Sequence, residues 1–469
     1  MNGGAYLAID QGTSATKALV VGDDGTVLTT IEVPVAVRPA SGGVVECDPE
    51  SIWQSVLEAG RRATAAAGSP ALQAVALANQ GETVLAWDPT TTQPLTPAIV
   101  WQDRRAATVC ERLRDRAPEL RQITGLELDP YFVAPKMRWL RDEISSEGVC
   151  GTTDTWILQR LTDAFVTDAA TASRTMLLDL DSVTWSDAAF EIFELSAEPR
   201  PLIVANDATV GTTRAFGGEV EVRGVCVDQQ AALLAEGCRT PGTTKCTYGT
   251  GAFLLANTGP RAVRSTAGLV ACVAWQRSGE PACYCLDGQV YTVGAAVTWL
   301  RQIGLIAHPS DLDRLGAAVP DSDGVTFVPG LAGLAAPFWA PSARGAFCGL
   351  ALGTAREHLV RAVIEGIAAS IAWLARGIES DLGAPLTHLR VDGGLTRSTL
   401  LVQLQADLAQ VPIEVFPSLH ATALGVAMFA GAPIPDLAPT MVVEPAIDAA
   451  AADLHLDRWR AAAEATLEL

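Results

Sequence analysis

Four short segments of this chain set acids, hydroxyls and glycines side by side in patterns that could handle a phosphate. Asp10-Gln11-Gly12-Thr13-Ser14 follows the apolar run Ala5 to Ile9 and comes just before Lys17. Thr247-Tyr248-Gly249-Thr250-Gly251 has the same character much later in the chain. A Thr/Ser/Gly turn between strands offers several backbone N–H groups and hydroxyls to one oxyanion. Asp10 could hold a magnesium ion through water, because Mg2+ keeps much of its hydration shell, and Lys17 follows within reach of a phosphate. Each corner alone also reads as an ordinary hairpin, whereas the pair points to one ligand faced from two sides. In Val391-Asp392-Gly393-Gly394, two glycines at a strand end let the backbone approach a flat ligand, or simply make a tight turn into the next helix. Asp228 stands after Val225-Cys226-Val227 and before the helical stretch Ala231 to Glu236. Its carboxylate could accept the proton of an attacking hydroxyl; Asp at such a place is also a common helix N-cap.

The elements that must hold these residues are readable from pattern. Ala5 to Ile9 and Lys17 to Val21 read as strands, and Asp23-Asp24-Gly25 as a hairpin turn into Thr26-Val27-Leu28. Thr244 to Tyr248 and Ala252 to Ala256 repeat the device, which suggests a duplicated architecture. Asp48-Pro49-Glu50 opens a helix with Ile52, Val56 and Leu57 on one face. Thr354-Ala355-Arg356-Glu357 reads as a capping box for a long helix striped by Val360, Ile364, Ile367, Ile371 and Leu374. Leu389 to Asp392 is a short strand, and Ser398 to Ala409 and Ala421 to Ala430 are helical. Mixed strands and helices throughout give an α/β class, with the boundary between two domains near Asp228-Gln229-Gln230 and the helix after it.

Composition bounds the partners. The 469 residues suffice for two or three domains with real cores. A net charge of −20 argues against nucleic acid, whose phosphates need basic neutralisation, and against anionic membrane surfaces. It does not exclude a phosphate ligand, since backbone N–H groups and a metal ion can hold one inside an acidic protein. No uninterrupted apolar run has the ~18 residues a membrane span needs. Met1-Asn2-Gly3-Gly4 lacks the basic flank and apolar core of a signal peptide, which points to the cytoplasm. The ten cysteines are scattered without CxxC pairs, as free thiols in a reduced compartment would be. Cys283 and Cys285 alternate with Tyr284 in a strand-like run and read as core packing ahead of a metal site.

These segments together resemble the FGGY carbohydrate kinases, and within them the glycerol kinases. The likeness is carried by Asp10 to Ser14, Ile99-Val100-Trp101-Gln102-Asp103-Arg104-Arg105, Asp129-Pro130-Tyr131-Phe132 and Asp154-Thr155-Trp156. It continues through Ala172-Ser173-Arg174-Thr175-Met176-Leu177, Asp228 to Leu233, Thr247 to Gly251, Ala335 to Trp339, Ala343 to Ala346 and Arg390 to Gly394. The matches run in order over nearly the whole chain. The resemblance implies two ribonuclease-H-like, actin-like domains flanking a central cleft, here residues 1–238 and 239–469. It implies ATP and Mg2+, a small-molecule polyol acceptor, and room for a homo-oligomer, dimer or tetramer. Asp228 would be the general base and Asp10 the metal residue. Thr13, Ser14, Lys17, Gly249 and Thr250 would line the phosphates; Gly294, Gly394, Leu395 and Ser398 would lie along the nucleoside. Glu82, Trp101, Tyr131, Asp228, Gln229 and Phe253 would contact the polyol.

The chain also departs from the family pattern. Lys17 stands where glycerol kinases usually carry Arg, keeping a cation without the planar fork. The family has an Arg before the polyol-site Glu, where this chain reads Asn79-Gln80-Gly81-Glu82-Thr83. A hydrogen bond from a charged group is worth about 1.5–3 kcal/mol, roughly ten- to a hundred-fold in binding. Gly81 thus opens two alternatives: water fills the gap and glycerol binds more weakly, or a larger tetritol, pentitol or ketose occupies it. On this reading Gly81→Arg improves glycerol use or blocks a bulkier acceptor. Val227 replaces the glycine that usually precedes the catalytic Asp. Phe216 to Val220 is shorter and more acidic than the loop that binds fructose bisphosphate in some bacterial glycerol kinases, which argues against that regulation. A different class, an ATP-gated binding protein without transferase activity, uses the same fold; the acids at 10, 82 and 228 argue against it.

Overall fold

The computed structural model describes residues 4–467, so the Met1-Asn2-Gly3 start lies outside the described residues. Ala5, Leu7, Ala8 and Ile9 have no solvent exposure, as a continuous apolar run in a central strand requires. They form β1 (Ala5–Gln11), which makes an antiparallel meander with β2 (Ala15–Gly22) and β3 (Val27–Pro34). On its other side, β4 (Leu72–Asn79) pairs parallel with β1, and β6 (Val220–Val227) pairs parallel with β4. The edge strand β5 (Thr209–Thr213) runs antiparallel to β6. The order is β5-β6-β4-β1-β2-β3.

The second half repeats the plan. Its strands are β7 (Thr244–Tyr248), β8 (Ala252–Gly259), β9 (Val270–Trp275), β10 (Cys283–Val290), β11 (Leu389–Gly393), β12 (Ile413–Val415) and β13 (Met441–Val443). They stand in the order β9-β10-β8-β7-β11-β12-β13. β10, β8 and β7 are antiparallel, β7, β11 and β12 are parallel, and β13 is an antiparallel edge. Five strands therefore match in order and direction, β3-β2-β1-β4-β6 against β10-β8-β7-β11-β12, and the duplication expected from two hairpins extends to both sheets. A smaller five-stranded sheet, including Val84–Trp87 and Ala98–Ile99, is inserted in the first half.

Helix α1 (Pro49–Ala66) starts as expected: Asp48 accepts the Glu50 N–H at 3.1 Å, with Pro49 in the first turn. The others that bear on the cleft are α2 (Asp228–Ala235), α3 (Gly294–Gln302), α4 (Arg356–Leu382), α5 (Thr399–Ala409) and α6 (Ala421–Phe429). Two helix starts differ from expectation. Asp228 is not the N-cap of α2 but its first helical residue; Val227 occupies the cap. At α4 the cap is Ala355, whose N–H donates to His358 Nδ1 at 3.0 Å, while Thr354 accepts from Ala351 N. Ala355 has no side-chain oxygen, so only half of a capping box forms. The 27 residues of α4 are long and apolar enough to cross a membrane by length and composition, but most of the helix is buried in the second core. All ten cysteines are free, Cys283 and Cys285 among them.

The two cores interlock. Ala421, Leu424, Val426 and Phe429 of α6, late in the chain, belong to the first core, and α6 packs on β1, β4 and β6. Ala169, Ala172, Leu178 and Leu180 of the first half belong to the second core. Helix α2 touches both sheets and crosses α6 so closely that a Cβ at Gly425 would overlap the carbonyl oxygen of Ala231.

Candidate active site

Open α/β sheets place ligands beyond the C-terminal ends of their parallel strands. Here β1 ends before Gly12-Thr13, β4 before Gln80-Gly81-Glu82, β6 before Asp228 and β7 before Gly249. Thr13, Gln80, Gly81, Glu82, Asp228, Gly249 and Thr250 all line one cavity of about 140 Å³. Trp101, Tyr131 and Phe253 form its aromatic wall, Trp101 standing edge-on to Tyr131 at 5.8 Å and to Phe253 at 5.9 Å. Trp101 Nε1 donates to Thr13 Oγ1 at 2.9 Å, which ties the wall to the first corner. Tyr131 is set by Asp129, whose carboxylate accepts the Tyr131 N–H at 2.8 Å and pairs with Arg104 at 3.0 Å. The six residues expected to contact a polyol therefore meet in one place.

The acids of the cavity have different surroundings. Glu82 is buried and sits at φ +57°, a left-handed conformation rare outside glycine and concentrated at functional sites. Burial pushes its carboxyl up from the ordinary value, and an ion pair with Arg174 opposes this. Asp228 is half-buried; Oδ1 accepts the Gln229 N–H at 2.7 Å. Burial, then the charges of Asp10 and Glu82, push its carboxyl up to about 7, with Lys245 opposing. A carboxylate titrating near neutrality suits proton acceptance. Lys245, fully buried, donates to Gln229 Oε1 at 2.6 Å and Thr247 Oγ1 at 2.7 Å, which orients the Gln229 amide; its NH2 group has no protein acceptor among the described residues.

Beside the first corner, Lys17 of β2 stands opposite Asp10 of β1 and Glu32 of β3 in the same register, so the three share one face. Burial pushes Asp10 up to about 6, Lys17 opposing and Glu32 and Asp392 adding to it. Ser14 is exposed at the first corner. The second corner closes on itself through Gly249 N to Gly251 O, 2.9 Å, and the start of α3 is seated on it, Gly294 N donating to Gly249 O at 3.1 Å. Gly249, Thr250, Gly294 and Thr298 line a shallow depression there. Gly394 and Leu395 lie in the short turn of helix after β11, the strand beside β7. Ser398 is occupied differently: it caps α5, accepting the Leu401 N–H at 3.1 Å and donating to Asp313.

No cluster of three or more His, Cys, Asp or Glu side chains suited to a metal exists among the described residues. That donor set fits Mg2+ arriving with a nucleotide, because Mg2+ is usually held by one or two carboxylates, waters and phosphates and not by a protein cage. Asp10, near the end of β1 and in register with Lys17, is a single carboxylate beside the first corner, the kind of donor that mode of binding uses.

Models of the FGGY family of carbohydrate kinases match twice, the N-terminal domain over residues 5–235 and the C-terminal domain over 244–433. The chain belongs to the FGGY family of carbohydrate kinases. As a member it is a phosphotransferase acting on an alcohol group. The glycerol kinase of Thermus brockianus is 43% identical, covering 91% of this chain and 89% of its own. That of Bordetella parapertussis is 40% identical, covering 98% and 96%. The crystal structure of Plasmodium falciparum glycerol kinase with ADP superposes with a TM-score of 0.89 at 29% identity, over 99% of this chain and 98% of that one. A xylulose kinase from Lactobacillus acidophilus, at 22% identity and a TM-score of 0.87 over 98% and 97%, shares the fold. The α/β architecture of this FGGY kinase is thus the expected pair of ribonuclease-H-like halves around a cleft.

Sequence reasoning gave no role to four cavity residues, Gln80, Arg174, Thr247 and Gly251, of which Arg174 alone is charged. It sits inside the matching run Ala172 to Leu177, so its presence was visible, but its partners Glu82 and Asp287 are far away in sequence and only the fold brings them together.

Proposed function

We propose that this FGGY kinase transfers the γ-phosphoryl group of ATP to a primary hydroxyl of glycerol. The observation that carries the reading is the single cavity in which Asp228 meets Glu82, Gln229 and three aromatic rings between the two phosphate corners. At about 140 Å³ it has room for a six-heavy-atom polyol such as glycerol.

In this reading the apolar faces of Trp101, Tyr131 and Phe253 hold the carbon chain, while Glu82 and the Gln229 amide fix hydroxyls. Asp228 accepts the proton of the attacking hydroxyl. Bound Mg2+·ATP supplies the phosphoryl group and part of the charge neutralisation such transfers rely on. Thr13, Ser14, Gly249 and Thr250 present hydroxyl and N–H donors to the phosphates, Lys17 adds a cation, and Asp10 holds the metal. Gly294, Gly394 and Leu395 flank the nucleoside, with Ser398 acting through α5. Since little covalent chemistry is left to the protein, positioning and electrostatics account for the rate.

The deciding experiment is ADP release with Mg2+ across glycerol, erythritol, xylitol, arabitol, ribulose and xylulose. Glycerol giving the highest kcat/KM is the expected result. A preference for a pentitol or ketulose overturns the acceptor assignment, and no stimulation by any of them overturns the transferase reading.

A further inference from the structure

The space beside Gly81 is not empty. A Cβ built there would stand 3.1 Å from Val227 Cγ2, 3.8 Å from Arg174 Nε and 3.9 Å from Arg174 Cδ. Two side chains from two other elements, one ending β6 and one following the short helix Ala169–Ser173, have closed on the position. Arg174 is 3% exposed and lines the cavity. Its guanidinium carries five N–H donors. Nε donates to Glu82, Nη1 to Asp287 at 2.5 Å and to Cys272 Sγ at 3.3 Å, and Nη2 to the Tyr131 hydroxyl at 3.2 Å. The remaining Nη2 hydrogen has no protein acceptor among the described residues. Two of these partners, Glu82 and Tyr131, line the same cavity.

We propose that Gly81, Val227 and Arg174 form one coupled arrangement that sets acceptor recognition: Arg174 supplies the charged donor to the acceptor's hydroxyls, and Val227 fills the space beside position 81 so that glycine fits there. The inference rests on the polyol-kinase reading above. Its physical basis is an ion-paired fork held by two buried carboxylates, which fixes the guanidinium plane without using its last donor. It also reverses the expectation drawn from sequence for Gly81→Arg. A side chain at 81 presses a Val227 methyl back by a few tenths of an ångström, and an arginine there sets a second cation against the first. The single change Gly81→Arg therefore harms acceptor binding.

The test measures KM for glycerol, KM for ATP and kcat in Arg174→Gln, Arg174→Lys, Gly81→Ala, Val227→Ala and Gly81→Ala/Val227→Ala. Arg174→Gln is expected to raise the glycerol KM roughly ten- to a hundred-fold, with the ATP KM within about two-fold, and Arg174→Lys to recover only part of the loss, because the fork is gone. Gly81→Ala is expected to raise the glycerol KM about three-fold or more, and Val227→Ala to cancel that rise in the double variant, as contacting residues couple. Equal rises in both KM values, or a glycerol KM unmoved in both Arg174 variants, overturn the role of Arg174. Additive effects at 81 and 227 overturn the coupling. Should Arg174→Gln fail to fold with Glu82 and Asp287 left unpaired, Arg174→Lys and the 81/227 cycle decide alone. An unsubstituted chain that ignores glycerol but uses another polyol overturns the glycerol assignment, and the same cycle is then read on that polyol.

Discussion

Asp228 shows what one residue's surroundings do to its chemistry. At the ordinary carboxylate value it would be a weak base at neutral pH; burial with Asp10 and Glu82 nearby moves it up to about 7. In its proposed role as base Asp228 must be ionised, so kcat/KM for the polyol is expected to rise with pH through about 7 and to fall by about ten-fold per unit below it. A pH–rate profile flat between 5 and 8 contradicts this. Asp228→Asn keeps the size and the Gln229 contact but cannot take the proton. It is expected to bind nucleotide normally, by calorimetry, and to lose about 10²–10⁴-fold in kcat. The position of Asp228 was legible from its place between an apolar run and a helix. Its pKa was not, since Asp10 on β1 and Glu82 in the turn after β4 are far off in sequence. Nor could spacing reveal that Glu82 adopts a left-handed backbone or that Arg174 closes on Gly81.

Elements made of local contacts were the most legible. The β1–β2 and β7–β8 hairpins, the Asp48 cap of α1 and the stripe of α4 appear where pattern places them, because neighbouring residues determine them. The helix starts at Asp228 and Ala355 differed by one residue from the pattern, within the range over which several nearby polar groups can serve a helix start: Asp228 accepts its neighbour's N–H, and His358 accepts the Ala355 N–H in place of an Ala355 side chain. Two glycines make the element scale testable. A Cβ at Gly294 would stand 2.5 Å from the Gly249 carbonyl oxygen. Gly294→Ala is therefore expected to lift α3 from the second corner and raise the KM for ATP several-fold while leaving the glycerol KM nearly unchanged. Steady-state kinetics in both substrates checks this; a change in the glycerol KM alone contradicts it. Gly425→Ala drives α6 from α2, an overpacking worth about 1–3 kcal/mol of stability. Urea unfolding measures it, and an unchanged midpoint contradicts it.

At the scale of the molecule, the division at residues 238 and 239 remains a proposal, and it does not separate the cores. Leu424, Val426 and Phe429 are buried in the first core, and full burial of such side chains is worth about 1.5–3 kcal/mol each. Their loss, about 5–9 kcal/mol in all, is comparable to the whole stability of a typical domain, about 5–15 kcal/mol. Fragments 1–238 and 239–469, expressed apart, are expected to show exposed apolar surface by dye binding and no cooperative unfolding, and to regain both order and polyol-dependent ADP release when co-expressed. A first fragment that unfolds cooperatively by itself contradicts this.

The lateness of α6 has a consequence for how the chain is made. Synthesis runs from the N-terminus, yet the helix that covers β1, β4 and β6 ends at Phe429. The first sheet is complete as a ribbon of strands long before its cover leaves the ribosome. Between Val227 and Phe429, roughly 200 residues of synthesis, the part of its apolar face that α6 covers stays open, a client for whatever chaperone meets the nascent chain.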